Sequence, residues 1–515
     1  MRTTRTIVEK YIEFCNKKNI QIQTHQIYGV LWCIRKEREL IVTNKWKGGI
    51  LADDMGMGKT IQMIATITLH FKNKTLIILP PILIPQWHSE ILKILGHSAI
   101  IYHGKNKNHL VLEKAIVVIT SYDTFLRSPE LLEISWNRTI CDEAHRLRNP
   151  KTKVYTCIQQ LQTDILWCIT GTPIHNKIRD IMSLFALFTI TGKCNYNSSA
   201  SSDLEKMILR RTKLKSNILL PEKKEFKQLI PWTNLGEWDL AKDIHSSINN
   251  AVSEDTNTSF WKTKNMNDLV TMIRAKQLCI LPKLMEKTVQ QLELDEPDDL
   301  FPDDFKHTTF QNASCKLNAI LQHILCPTRQ GRGKIIFCHF QLEMTKIIEL
   351  LREKENNYNY WIGNWKDFTK RQCKKTPILI LQIRSGCEGL NLQNEFSEVY
   401  FVSPNWNPTL EDQAIARCHR IGQQKKVFVY RFYMENLLSA SEKILENQNK
   451  QNIVHYFNIY NNIPDDLKRY VDSFLLDDFV IISKKCPKYS MDLYTLMKQN
   501  EKREKISAFM NRITI

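Results

Sequence analysis

The chain has 515 residues, of which 43% are hydrophobic and 24% charged, and its 72 Lys and Arg against 54 Asp and Glu leave a net charge of +18. That length exceeds one ordinary domain, and the composition excludes a disordered or fibrous chain. The basic excess favours a polyanionic partner and says nothing about fold.

At the N-terminus, "MRTTRTIVEKYIEF" has no apolar core of the signal-peptide kind. The strand-like "GILA" then leads through "GMGKT" (Gly56 to Thr60) into the amphipathic "TIQMIATITLHF". Short β-branched runs follow: "TLIILP" (75–80), "AIVVITS" (115–121), "RTICDE" (138–143) and "DILWCIT" (164–170). Continuous runs of this kind suit strands covered on both faces of a parallel sheet. The longest, "TLIILPPILIP", is too short and too interrupted by proline to cross a bilayer, so no membrane partner is expected.

From 180 to 325 the character turns helical and polar, with "NYNSSASSD" (195–203) expected as a surface loop. "ELDEPDDLFPDDF" (293–305) sets seven acids around two prolines, which reads as a solvated loop or as a mimic of a DNA groove or histone contact. Strand-like runs resume in "GKIIFCHF", "TPILILQI", "EVYFVSP" and "KVFVYRF". The fold class expected is α/β, with two lobes of parallel sheet flanked by helices and a helical insertion between them. The boundaries expected are 1–225 for the first lobe, 226–312 for the insertion, 313–450 for the second lobe and 451–515 for a tail without assignment. The fourteen cysteines contain no C-x-x-C pair, so neither a zinc module nor a disulfide scaffold is expected.

Chemistry concentrates at three places. "DDMGMGKT" (Asp53 to Thr60) has the convergent backbone, following helix and lysine of a phosphate cradle, although Asp53 stands where such loops usually open with glycine. Gly56 and Gly58 allow close approach, Lys59 reaches the outer phosphates and the Thr60 hydroxyl suits Mg²⁺. "TICDEAH" ends an apolar run with Asp142, a candidate for the metal's water shell, and Glu143, a candidate for orienting the attacking water. "DQAIARCHRIGQ" (412–423) sets Arg417 and Arg420 three apart, as expected on one face of a helix. Such a pair can clamp a γ-phosphate, and an exposed basic helix would show the same spacing.

With these in chain order, the sequence resembles the Swi/Snf-type ATPases, the DNA-translocating branch of helicase superfamily two, from about Gln26 to Leu445. "THQIYGVLW" looks like the family's glutamine motif, which implies Gln26 at the adenine, and "ILADDMGMGKT" matches its nucleotide loop, in which an acid occupies the position of Asp53. The loop residues Asp54, Met55 and Met57 are implied to lie with Asp53 at the nucleotide. "LPPILIPQWHSEI", "VITSYDTF" and "GCEGLNLQ" look like motifs that contact DNA, implying Trp87, Thr120, Ser121, Gly389, Leu390 and Asn391 near the nucleic acid, with Gly389 also at the nucleotide. "WCITGTPIHN", "LRRTK", "IRAKQLCILP", "WNP" and "ARCHRIGQ" continue the match. The chain departs from the pattern at His175, Ile280, Cys387 and Glu388. The wording is closest to the branch of Lodestar-like terminators and RING-bearing repair translocases, without RING cysteines, and the compact Asn/Lys/Ile-rich core is similar to versions from large DNA viruses.

The resemblance implies two recA-like lobes that close over ATP and Mg²⁺, with Lys59, Thr60, Asp142 and Glu143 on one side and Arg417 and Arg420 on the other. It implies translocation on double-stranded DNA to remodel protein–DNA complexes in chromatin, transcription or repair, with histones or RNA polymerase as protein partners and a nucleus, or a host nucleus or virion, as location. The alternatives are a strand-separating DNA or RNA helicase of the same superfamily, a polymerase-release factor, and a DNA scaffold with a decayed ATP site.

Overall fold

A computed structural model of the chain describes residues 2–43, 48–104, 109–174, 177–188, 198–216, 218–250, 266–285, 314–326, 331–354, 360–371, 375–386, 390–437 and 490–513. The acidic stretch 293–305, His175, Cys387, Glu388, Gly389 and residues 451–489 lie outside the described residues.

The first sheet contains β1 (Gly48–Leu51), β2 (Thr75–Leu79), β3 (Ile100–Ile101), β4 (Val117–Ser121), β5 (Trp136–Asp142), β6 (Thr163–Ile169) and β7 (Ile208–Leu209). Their order is β3-β4-β2-β5-β6-β1-β7, and every pairing is parallel. The second contains β8 (Lys223–Ile230), β9 (Gly333–Cys338), β10 (Tyr360–Asn364), β11 (Thr376–Gln382), β12 (Phe396–Phe401) and β13 (Val427–Met434). These run β10-β11-β9-β12-β13-β8, again parallel throughout. Away from edge strands such as β8, each sheet is buried on both faces, which explains the unbroken apolar runs within β2, β9 and β11. In the first lobe one face holds Ile50, Leu76, Cys141 and Cys168 and the other Leu51, Ile77, Ile140 and Trp167. In the second, Ile336 and Ile380 face one core, and Ile335 and Leu379 the other.

Polar residues inside β5 have partners that the apolar pattern hides. Arg138 is wholly buried and donates through Nε and Nη2 to both carboxylate oxygens of Glu37 at 2.7 and 2.6 Å. The Trp167 indole donates to Glu37 as well, at 2.9 Å.

Three expectations need correction. The stretch 195–203 is not a loop over its described part, because Ser198–Met207 is a helix that seats Leu204 and Met207 in the first core. The boundary at 225/226 falls inside β8, which pairs along all of β13, so the chain has already entered the second sheet at Lys223. The helices Leu235–Asn250 and Met266–Leu278 bury Trp238, Ala241, Met272 and Ala275 in the second lobe's core and do not stand apart from it as an insertion.

Part of the tail has structure too. The helix Met491–Ile513 begins on the second lobe, where Lys316 donates to Asp492 and to Ser403, and Gln499 donates to Glu411 at 2.7 Å. Farther along, Arg503 makes two 3.0 Å bonds to Asp412, and Ile506 and Met510 then pack against the first lobe's core. No helix among the described residues is long and apolar enough to cross a membrane.

Candidate active site between the lobes

The loop after β1 turns sharply enough to need glycine. Gly56 and Gly58 have φ of 83° and 77°, a region that side chains rarely enter. A Cβ at Gly56 would stand 2.8 Å from Arg420 Cβ of the second lobe, and one at Gly58 would stand 2.3 Å from Gln26 Nε2. Gly58 caps the helix Lys59–Leu69 without a side-chain bond, which leaves first-turn N–H groups available to an anion.

Asp53 is the loop's anchor. It is wholly buried, accepts from Arg211 Nε at 2.8 Å and from Arg211 Nη2, and takes a third bond from Gln62 at 3.1 Å. Its carboxylate is thus committed to "LRRTK", so the expected contact of this side chain with nucleotide is corrected. Asp54 pairs with Arg210 at 3.1 Å and accepts the Lys213 backbone N–H at 3.2 Å. Met57 is a core side chain whose carbonyl receives Gln26 at 3.2 Å, while His25 Nε2 lies 3.0 Å from the same oxygen. Gln26 is 4% exposed and bonded to Met57 and Tyr11, so its amide braces the loop where an adenine contact was expected.

A chamber of about 90 Å³ lies beyond the turn. The first lobe lines it with Met55, Gly56, Gly58, Lys59, Thr60, Asp142 and Glu143, and the second with Ala416, Arg417 and Arg420. Lys59 Nζ donates to the carbonyls of Asp53 and Asp54 at 2.7 and 3.2 Å, and burial lowers its pKa against the pull of four nearby carboxylates. Arg417 Nη2 stands 4.0 Å from Glu143 Oε1. Arg420 donates to Asn391, the exposed residue of the "GLN" segment. Both arginines lie in the turn after the helix Pro408–Ile415, which corrects the expected helical placement. Gln423 fixes that turn by donating to the Cys418 and Phe396 carbonyls at 3.1 and 3.0 Å.

The acidic pair is electrostatically divided. Burial and the adjacent Glu143 charge push Asp142 above the usual carboxylate range, while the Trp87 and Glu143 N–H groups oppose the rise. Burial also acts to raise Glu143, but His145, Arg417 and Lys59 outweigh it and hold it below that range. Glu143 has φ 49° and ψ 47°, a left-handed conformation that a glutamate adopts at a cost of about 1 kcal/mol or more. Glu143 Oε2 faces His145 Nδ1 at 3.3 Å, and the Nε atoms of Arg417 and Arg420 are buried without hydrogen-bond partners. Two cationic donors and a lysine around a backbone cradle fit a polyphosphate. The Thr60 hydroxyl and Asp142 carboxylate offer the hard oxygens that Mg²⁺ takes when phosphates and water complete its shell.

The residues expected along DNA are mostly inward. Trp87, Thr120 and Ser121 are 1%, 0% and 0% exposed, and this corrects their assignment to nucleic acid. Trp87 donates to Asp142, Thr120 to the Tyr102 carbonyl at 2.8 Å, and Ser121 caps the helix Tyr122–Leu126. Leu390 is a core residue as well. The residues that sequence reasoning missed are Arg211, which holds Asp53, and Lys213, whose Nζ crosses to the His419 carbonyl at 2.8 Å. A basic run such as "LRRTK" does not reveal which acid each cation meets.

Two parallel-sheet lobes, with a phosphate cradle on one and an arginine pair on the other, define a recA-like nucleoside triphosphatase whose chamber is completed only between the lobes. Comparison with known proteins narrows the class. The SNF2-related domain matches residues 25–198. A viral protein described as "Probable global transactivator", from Orgyia pseudotsugata multicapsid polyhedrosis virus, is 26% identical over 83% of this chain and 89% of its own length. ATP-dependent DNA helicase DDM1 of Arabidopsis thaliana is 27% identical over 80% of this chain and 58% of its own, and the ISWI chromatin-remodeling complex ATPase ISW1 of Saccharomyces cerevisiae 27% over 83% and 40%. The chain thus spans most of the viral relative and about half of the cellular ones. These matches support an SNF2-type ATPase of helicase superfamily two.

Proposed function

We propose that this ATPase translocates on double-stranded DNA and so remodels protein–DNA complexes in a nucleus. The observation that carries the reading is the position of Arg417, 4.0 Å from Glu143 across the cleft, because it makes turnover depend on how the lobes stand. Glu143, ionised and held in a strained turn, orients the attacking water. Lys59 exchanges its two loop carbonyls for phosphate oxygens, and the unpartnered Nε donors of Arg417 and Arg420 take the charge that develops on the far side. Thr60 and Asp142 would hold Mg²⁺, which supplies further charge neutralisation when bound with ATP. Hydrolysis removes what holds the second lobe shut, and the cycle of closure becomes movement along the polyanion.

The net charge of +18 and the printed activities of the cellular relatives support DNA as that polyanion, and those relatives also support chromatin as its setting. Histones or RNA polymerase are the protein partners proposed for such a complex. The test is ATPase activity with and without duplex DNA for wild type, Lys59→Ala and Glu143→Gln. Duplex DNA should stimulate wild type, and both variants should be inactive while still binding DNA. Normal turnover by Glu143→Gln would overturn the assignment. Stimulation by RNA alone, or strand displacement, would favour a helicase.

A further inference from the structure

The helix Ile84–Leu95 follows β2 and belongs to a stretch expected to face DNA, yet its Gln86 lines the reaction chamber and its Trp87 bonds a carboxylate that does. Trp87 is 1% exposed and its indole N–H donates to Asp142 Oδ2 at 2.8 Å. Asp142 Oδ1 accepts the Glu143 backbone N–H, also at 2.8 Å. Each oxygen of the metal-facing carboxylate therefore has one fixed donor, and an indole, which donates and cannot accept, suits an ionised acceptor. One residue earlier, Gln86 lines the chamber and donates to Glu90 Oε1 at 3.1 Å. Glu90 Oε2 is buried without a hydrogen-bond partner.

We infer that Trp87 is a positioning residue for hydrolysis: its indole N–H aligns the Asp142 carboxylate beside the chamber that Gln86 of the same helix lines. The inference rests on the ATPase reading above and adds a connection to it.

The test compares Trp87→Phe, which keeps an aromatic ring and removes only the donor, with Trp136→Phe, which removes an equally buried indole bonded to the Leu131 carbonyl at 2.9 Å. Binding of a fluorescent ATP analogue is titrated with Mg²⁺ and repeated in EDTA. Trp87→Phe should raise the Mg²⁺ requirement by about 10- to 100-fold, the range for loss of an outer partner of a metal ligand, and leave binding in EDTA within about twofold. Trp136→Phe should lose thermal stability and keep the wild-type Mg²⁺ requirement. A wild-type Mg²⁺ titration for Trp87→Phe, or an equal shift for Trp136→Phe, would overturn the inference. Should Trp87→Phe fold poorly, Trp87→Leu and Trp87→His are compared at a temperature where both are folded: Trp87→Leu should raise the Mg²⁺ requirement and Trp87→His, whose ring N–H can donate, should bring it back towards wild type, and equal requirements would overturn the inference. Wild-type protein that binds no nucleotide would sink the ATPase reading itself, whereas the other adverse outcomes sink this inference alone.

Discussion

Asp53 and Arg211, 158 residues apart in the chain, form a buried two-pronged ion pair directly beneath the phosphate-binding turn. Substituting Asp53 with the glycine usual in such loops leaves the Arg211 guanidinium in a site only 6% exposed. Removing one partner of a buried pair costs about 3–5 kcal/mol, so Asp53→Gly should unfold at markedly lower denaturant and bind nucleotide weakly even where folded. Chemical denaturation with and without ATP checks both.

Arg417 and Arg420 meet the chamber only through the second lobe. Arg417→Ala should lower kcat about 10³-fold or more, the range found for arginine fingers, while nucleotide affinity changes only a few-fold. Steady-state ATPase rates set beside equilibrium nucleotide binding separate these effects.

Glu37 predicts a pH response remote from catalysis. Burial acts to raise its pKa, but hydrogen bonds from His70 and Arg138 and the charge of Arg138 outweigh burial and bring the pKa to about 2 from an ordinary 4.5. A depressed carboxylate stabilises the fold fully above about pH 4.5 and loses that contribution as pH falls through about 2. Glu37→Ala should therefore cost about 3–5 kcal/mol near neutral pH, and the gap to wild type should narrow in acid. Denaturation curves over that pH range report the difference.

Duplex binding should be sequence-tolerant and steeply dependent on salt. If several phosphates are neutralised, log K should fall linearly with log salt with a slope of about −0.9 per contact, measured by fluorescence anisotropy on two unrelated sequences. A shallow slope, or strong preference for one sequence, would count against a backbone-tracking mode.

What could be read along the chain was what is local. The turn at Gly56 to Thr60 and the pair Asp142–Glu143 are contiguous, and their chemistry follows from backbone shape and residue type within a few positions. Strands β2, β9 and β11 are marked by apolar runs because both of their faces are covered. By contrast β8, "KKEFKQLI", is an edge strand whose first seven residues are exposed, so no apolar pattern marks it. The resemblance implies Trp87 near nucleic acid, whereas its partner, Asp142, lies 55 residues away, and no local spacing encodes that bond. The buried Thr120 and Ser121 were misplaced for the opposite reason: a motif resemblance specifies position in the chain, and side-chain direction is settled by packing.

The helix Met491–Ile513 is fastened to one lobe by Asp492, Gln499 and Arg503 and rests on the other through Ile506 and Met510. A rod clamped at one end and lying on a greasy seat at the other works as a leaf spring. Separating the lobes widely would lift Met510 into water, so this helix opposes a wide opening of the cleft by the apolar area it would have to expose.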